Sequence, residues 1–285
     1  MCGILGIINK YNKKIDSNIV KTMMSNIDYR GPDDNGFVSF TNNDIQHINI
    51  KERKELTFDL LLAHNRLSII DTTSDGHQPF TANDLNNKYW IVFNGEIYNY
   101  IEIRDELIKK GYKFYTKTDT EVVLKAYIEW GDEAQNKFNG MWAIIIYNTQ
   151  SQDIWVSRDR LGKKPLYYYE NSDYLIFSSE IKQILPLVDL QENKLETQAI
   201  MLTNYRGHLK ETSFQNVYRF PSSHSLKFNK DSIKYDFIKY WELTYDKNTV
   251  YDQVDNQKLA TYSEEFYNIF YDSVKLRLRS DVPIG

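Results

Sequence analysis

Cysteine is almost missing from this chain of 285 residues, which carries one, at position 2. A single thiol excludes an intrachain disulfide framework and agrees with a reducing compartment. No apolar run approaches the roughly 18 residues a membrane helix needs, and the start lacks the charged and apolar regions of a secretory leader. The expectation is a cytoplasmic protein with no membrane partner. An excess of charge of one sign is also lacking. Against 39 Asp and Glu stand 35 Lys and Arg, scattered among them, so nothing favours nucleic acid as a partner. The five His are far apart and Cys2 stands alone, which leaves no zinc-type cluster. Glycine-rich phosphate loops and internal repeats are absent too. What is present is core-forming material, 41% hydrophobic with 22 Tyr and 14 Phe, which reads as a folded chain rich in β structure.

Short apolar or β-branched runs bounded by turn residues predict strands over residues 2–8, 60–64, 89–93, 142–147, 154–157, 166–169 and 174–177. Amphipathic spacing predicts helices over 18–27, 101–110 and 119–130. Gly111 and Gly131 stop the last two, and Thr118-Asp119-Thr120-Glu121 reads as a capping box. Many closely spaced strands with few helices between them point to antiparallel sheets covered by helices, an α+β layered fold. Residues 229–256 are polar and rich in Lys and Asp. A helix expected over 263–278 follows, with an unpartnered apolar face of Phe266, Ile269, Phe270 and Val274. A domain boundary is expected here, with 2–228 as one unit and 229–285 as a linker and the start of another.

With the initiator Met removed, Cys2 would carry a thiol near pKa ~8.5 and an α-amine near ~8, a nucleophile and its base on one residue. The competing reading is a small apolar residue opening a buried strand. A thiol attacking a carbonyl needs donors for the oxyanion. The strand over 89–93 runs into Asn94-Gly95-Glu96, where Asn94 offers an amide and Gly95 its own N–H; an Asn-Gly hairpin turn is the alternative. Arg66 has the fork that suits a carboxylate, and Glu96 and Asp119 have the charge an ammonium requires. Read alone, Arg66 is equally a surface ion pair and Asp119 a helix-dipole partner. His64 and His77 have no acid at a diagnostic spacing and read as structural.

Taken in order, several segments resemble the glutamine-dependent asparagine synthetases: Met1-Cys2-Gly3-Ile4, Arg30-Gly31-Pro32-Asp33, Ala63-His64-Asn65-Arg66-Leu67-Ser68-Ile69-Ile70-Asp71, Gly76-His77-Gln78-Pro79, Phe93-Asn94-Gly95-Glu96-Ile97-Tyr98-Asn99, Thr118-Asp119-Thr120-Glu121, Asn139-Gly140-Met141, Arg158-Asp159-Arg160-Leu161-Gly162 with Lys164-Pro165-Leu166-Tyr167-Tyr168, and Ser178-Ser179-Glu180-Ile181-Lys182. The likeness covers residues 1 to about 185. It implies a class II glutamine amidotransferase of the N-terminal-nucleophile hydrolase fold, a four-layer αββα sandwich of two antiparallel sheets. Carried over position by position, Cys2 would attack the side-chain amide of L-glutamine, and Asn94 and the Gly95 amide would hold the oxyanion. Arg66 would take the substrate carboxylate, with Leu67, Ser68, Ile69 and Ile70 lining the pocket beside it, while Glu96 and Asp119 would hold the ammonium.

The resemblance implies no metal or cofactor for this glutaminase half. In the family a synthetase half uses ATP and Mg to activate aspartate for asparagine formation. Residues 277–285 look like the lead-in to its Ser-Gly-Gly-x-Asp-Ser loop, and the sequence stops before that loop. Glutamine hydrolysis without ATP-dependent asparagine formation is therefore expected, and a homodimer is a further implication. Two alternatives stay open: an amidotransferase serving another acid acceptor, as in surface-polysaccharide synthesis, and a non-catalytic glutamine-binding remnant acting with a synthetase partner in trans. One departure is Arg219-Phe220-Pro221-Ser222-Ser223-His224, where the family usually has Pro-Gly-His, which puts the local turn in question.

Overall fold

The computed structural model describes residues 1–42, 44–50, 52–203, 210–245 and 255–283. Along the chain lie β1 (Gly3–Asn9), β2 (Ile15–Asp16), α1 (Ser17–Ser25), β3 (Asp34–Thr41), β4 (Asp44–His47), β5 (Glu55–Leu56), β6 (Leu60–Arg66) and β7 (Tyr89–Ile97). Then come α2 (Tyr100–Lys109), α3 (Asp119–Trp130), α4 (Ala134–Lys137), β8 (Gly140–Asn148), β9 (Asp153–Arg158), β10 (Tyr167–Glu170) and β11 (Tyr174–Ser178). Last are α5 (Lys194–Thr203), β12 (Val217–Arg219), β13 (His224–Asn229), β14 (Ile238–Lys239) and α6 (Asn256–Arg277). Seven strands form one sheet in the order β12-β10-β11-β1-β6-β3-β4, and five form another in the order β14-β13-β9-β8-β7. Every pairing within them is antiparallel.

Alternation along the strands builds four layers. On one face of the larger sheet, Ile4, Ile8, Val38, Leu60 and Leu62 pack against Trp90, Val92, Ile145 and Val156 of the smaller, forming the core between the sheets. The opposite face of the larger sheet, with Leu5, Ile7, Leu61 and Ala63, is covered by Val20, Met23 and Met24 of α1. The outer face of the smaller sheet, with Ile91, Phe93, Ile144 and Ile146, is covered by α2 and α3 through Ile103, Leu107, Val122 and Val123. Both faces of each sheet are thus buried, which is why β1 and β8 read as continuous apolar runs rather than alternating ones. This is the αββα arrangement expected above.

The sequence expectations differ from the structure in several places. β3 begins Asp34-Asn35-Gly36, a turn-like start that hides a strand. The capping box at α3 is half made: Glu121 N–H donates to Thr118 Oγ1 at 3.2 Å, but the Glu121 carboxylate accepts from the Tyr115 and Thr116 amides instead. α6 starts at Asn256, seven residues earlier than expected, with the Asp255 side chain accepting from Lys258 N–H at 2.8 Å. Its Phe266, Ile269, Phe270 and Val274 are exposed. The boundary expected at 228/229 falls within β13; β14 completes the smaller sheet, and Tyr240 stacks on Trp142. Residues 246–254 of the polar stretch and 284–285 of the terminal run lie outside the described residues. Where the family usually has Gly, Ser223 itself adopts the left-handed region at φ 61°, tied by its N–H to Asp159 O and its hydroxyl to Arg160 O.

Candidate active site

Strand pairing brings the proposed nucleophile to the proposed anion-binding residue. β1 and β6 are neighbours with Gly3 opposite Asn65, so Cys2 lies at the sheet end where β6 closes with Arg66. Leu67 N–H donates to Cys2 Sγ at 3.4 Å, and the thiol lies 3.6 Å from Leu67 O. The Cys2 carbonyl accepts from Arg30 Nε at 3.0 Å, and Arg30 is in turn paired with Glu180 at 2.9 Å. The second sheet meets this end through His64, whose Nε2 donates to Phe93 O at 3.2 Å. Burial pulls the His64 pKa down to about 3, so the ring is neutral and its role is a tie between sheets.

Asn94 and Gly95 lie inside β7, opposite Ala143 and Trp142 of β8, so the segment is not a hairpin turn. Asn94 is fully buried, and neither atom of its amide has a hydrogen-bond partner among the described residues. Leaving a buried amide unpaired costs about 1–3 kcal/mol, so the Asn94 amide is a group to which a polar partner in the pocket would be worth most. A Cβ on Gly95 would come within 2.3 Å of Met141 O, so only Gly fits there.

These elements surround one pocket, and Cys2, Arg66, Leu67, Ile69, Ile70, Asn94, Gly95, Glu96 and Asp119 all line it. Ser68 does not. Its N–H donates to Asp33 Oδ2 at 2.7 Å, and it lines a neighbouring cleft with Thr73 and His77. The pocket holds groups of opposite charge. The buried Arg66 guanidinium donates from Nη1 to Thr73 O at 2.7 Å and from Nη2 to the Ile70 and Asp71 carbonyls. No carboxylate lies within ion-pair distance of it among the described residues, an arrangement that favours an incoming anion. Gly76 packs directly on this guanidinium, where a Cβ would lie 1.8 Å from Nη2. Of the carboxyls, Asp119 opens α3 and accepts from Ile97 N–H at 3.0 Å. Burial pushes its carboxyl up to about 7, with the Glu96 charge adding to the effect. Burial raises Glu96 as well, opposed by Lys164.

Sequence reasoning assigned no role to Arg30, Gly76, Gln78 or Lys164, although each sat in a quoted segment. Gln78 accepts from Phe93 N–H at 2.7 Å and donates to Thr120 Oγ1 at 3.2 Å, bracing β7 against α3 beside Asn94. Lys164 lines the pocket almost fully buried; burial lowers its pKa while the charges of Glu96 and Cys2 raise it. Burial also raises the Cys2 thiol, countered by the Leu67 N–H and the nearby terminal amine. Among the described residues no three His, Cys, Asp or Glu side chains come together to hold a metal, and no helix is long and apolar enough to cross a membrane.

Comparison with known proteins gives a consistent picture. Residues 1–241 match the glutamine amidotransferase domain family. The whole chain is 36% identical to the glutamine-hydrolyzing putative asparagine synthetase 2 of Methanocaldococcus jannaschii, covering 54% of that protein. It is 36% identical to the glutamine-hydrolyzing asparagine synthetase 1 of Bacillus subtilis, covering 41% of it. The chain therefore spans about half the length of the curated relatives it matches. Among solved structures, the glutamine phosphoribosylpyrophosphate amidotransferase from B. subtilis superposes with a TM-score of 0.58 at 19% identity, over 83% of this chain and 49% of that one. That likeness is one of fold.

Proposed function

The chain belongs to the glutamine amidotransferase domain family, with the N-terminal-nucleophile hydrolase fold, and from that premise we propose that it hydrolyses L-glutamine to glutamate and ammonia at Cys2. The observation that carries this reading is one pocket lined by a thiol, an unpartnered buried amide, a guanidinium and two carboxyls. Glutamine has a carboxylate and an ammonium at one end and an amide at the other, and the pocket offers a counterpart to each. With Met1 removed, the α-amine of Cys2 takes the thiol proton, and the thiolate attacks the side-chain carbonyl carbon. The oxyanion is held by the Asn94 Nδ2 and the Gly95 N–H, a contribution of about 3 kcal/mol per donor. The amine returns its proton to the departing nitrogen, ammonia leaves, and water cleaves the thioester to release glutamate and regenerate the thiol. Arg66 holds the substrate carboxylate while Glu96 and Asp119 hold its ammonium.

The relatives are named as asparagine synthetases, which supports a further, asparagine-forming step in those longer proteins; that ammonia passes there to aspartate activated by ATP with Mg is part of the same proposal. No residue of this chain is assigned to that chemistry. The test is ammonia release from L-glutamine by the purified protein, with mass spectrometry of the product of 6-diazo-5-oxo-norleucine. A single adduct on Cys2 of a chain lacking Met1 is expected, and Cys2→Ala should abolish turnover with the fold intact. Undiminished hydrolysis by Cys2→Ala would remove the nucleophile from the reading.

A further inference from the structure

We propose that Asp281, beyond the amidotransferase match and past the end of α6, is a positioning residue for Arg66, holding the backbone of residues 69–71 in the path from which its carbonyls grip the guanidinium. The inference rests on the reading of Arg66 as the glutamine carboxylate site. Asp281 meets this loop twice: its N–H donates to Ile69 O at 3.0 Å, and its Oδ2 accepts from Asp71 N–H at 2.7 Å. The residues so held are the ones that matter to Arg66, because the carbonyls of Ile70 and Asp71 both accept from its Nη2. Asp71 is also the bend in the loop. It sits in the left-handed region at φ 56°, a conformation that persists in a residue other than Gly when its surroundings fix it.

The Asp71 carboxylate cannot do this alone, since it is spent on Thr73 N–H at 3.1 Å and Lys117 N–H at 3.1 Å, leaving the Asp71 N–H to an outside acceptor. Asp281 is that acceptor. The segment carrying it is pinned on its other side to α2, where Arg279 donates to Tyr98 O at 2.6 Å and pairs with Glu102 at 2.5 Å. Tyr98 lies two residues beyond Glu96 in the chain. Removing the Asp281 carboxylate frees the Asp71 amide, lets the bend relax and withdraws two carbonyls from the guanidinium.

The test is glutamine binding by calorimetry on the full chain carrying Cys2→Ala, with turnover measured in parallel on the chain with Cys2 intact. Asp281→Ala should weaken binding about fivefold, the scale of one lost hydrogen bond, and leave kcat within about twofold. Asp281→Asn keeps an oxygen acceptor for the Asp71 amide and should recover most of the loss. In an Arg66→Lys background Asp281→Ala should add nothing further, since both act through one guanidinium. Unchanged binding in Asp281→Ala, failure of Asp281→Asn to restore it, or a full additional loss on top of Arg66→Lys would overturn the proposal. If Arg66→Lys alone leaves glutamine binding untouched, the carboxylate reading of Arg66 fails instead, and the two failures are told apart by that one variant.

Discussion

Burial lifts the Asp119 carboxyl to about 7, while its proposed partner, an ammonium, requires it ionised. Glutamine binding must then release a proton at pH 6 and almost none at pH 8. The ionised fraction changes about tenfold between those two values, so the apparent dissociation constant should be about tenfold larger at pH 6. Calorimetry on Cys2→Ala, which removes the thiol titration, reads this directly, and a flat profile would take the ammonium away from Asp119. At the substrate carboxylate, beside that ammonium, Arg66→Lys replaces a planar fork with a point charge. Its loss should appear as a rise in glutamine KM of about tenfold with kcat largely kept. A fall in kcat alone would contradict its placement on the carboxylate.

The loop between β6 and β7 shows how an element delivers a side chain. Gly76 lies against the Arg66 guanidinium, and a methyl group there would overlap Nη2, which donates to two carbonyls while Nη1 donates to a third. Gly76→Ala should therefore displace the guanidinium rather than unfold the loop, raising glutamine KM at least about tenfold with little change in melting temperature. Steady-state kinetics beside a thermal melt separates the two. The elements carrying strong periodicity, β1, β7, β8, α1 and α3, were legible in the sequence because their apolar spacing survives in isolation. β3 and β4 were not, since Asp34-Asn35-Gly36 reads locally as a turn and only pairing with β6 makes a strand of it. The supporting residues escaped for a related reason. Gln78, Gly76 and Arg30 act through contacts with residues 15 or more positions away or through a backbone approach, neither of which leaves a local mark. Cys2, Arg66, Asn94 and Asp119 each have an ordinary local reading and were singled out together by the ordered family-like segments, but their meeting in one pocket is a property of the sheets.

Over the whole molecule, two buried groups set opposite slopes of stability against pH. His64 has a folded pKa of about 3 against 6.5 unfolded, so its contribution is present above 6.5 and is lost as pH falls towards 3. Asp119 has a folded pKa of about 7 against 3.8 unfolded, so its contribution is present below 3.8 and is lost as pH rises towards 7. Between about pH 4 and 6.5 the two oppose each other. Asp119→Asn keeps an acceptor for the Ile97 amide and removes the second slope. Its melting temperature should climb more steeply with pH than that of the parent and exceed it at pH 8. Parallel curves for the two proteins would show that Asp119 is not strained by its burial. The carboxylate proposed to bind glutamine is thus expected to be a site where function is kept at the expense of stability.

The oxygens that grip Arg66 all belong to the main chain, and every amino acid brings the same oxygen. A replacement at position 70 or 73 leaves these oxygens in place, the side-chain demands being the pocket wall at Ile70 and the Thr73 hydroxyl bond to Asp71, whereas a one-residue insertion or deletion between 70 and 73 would shift the whole ring of acceptors. Variation in this stretch should therefore run to replacements of letters and avoid changes of length.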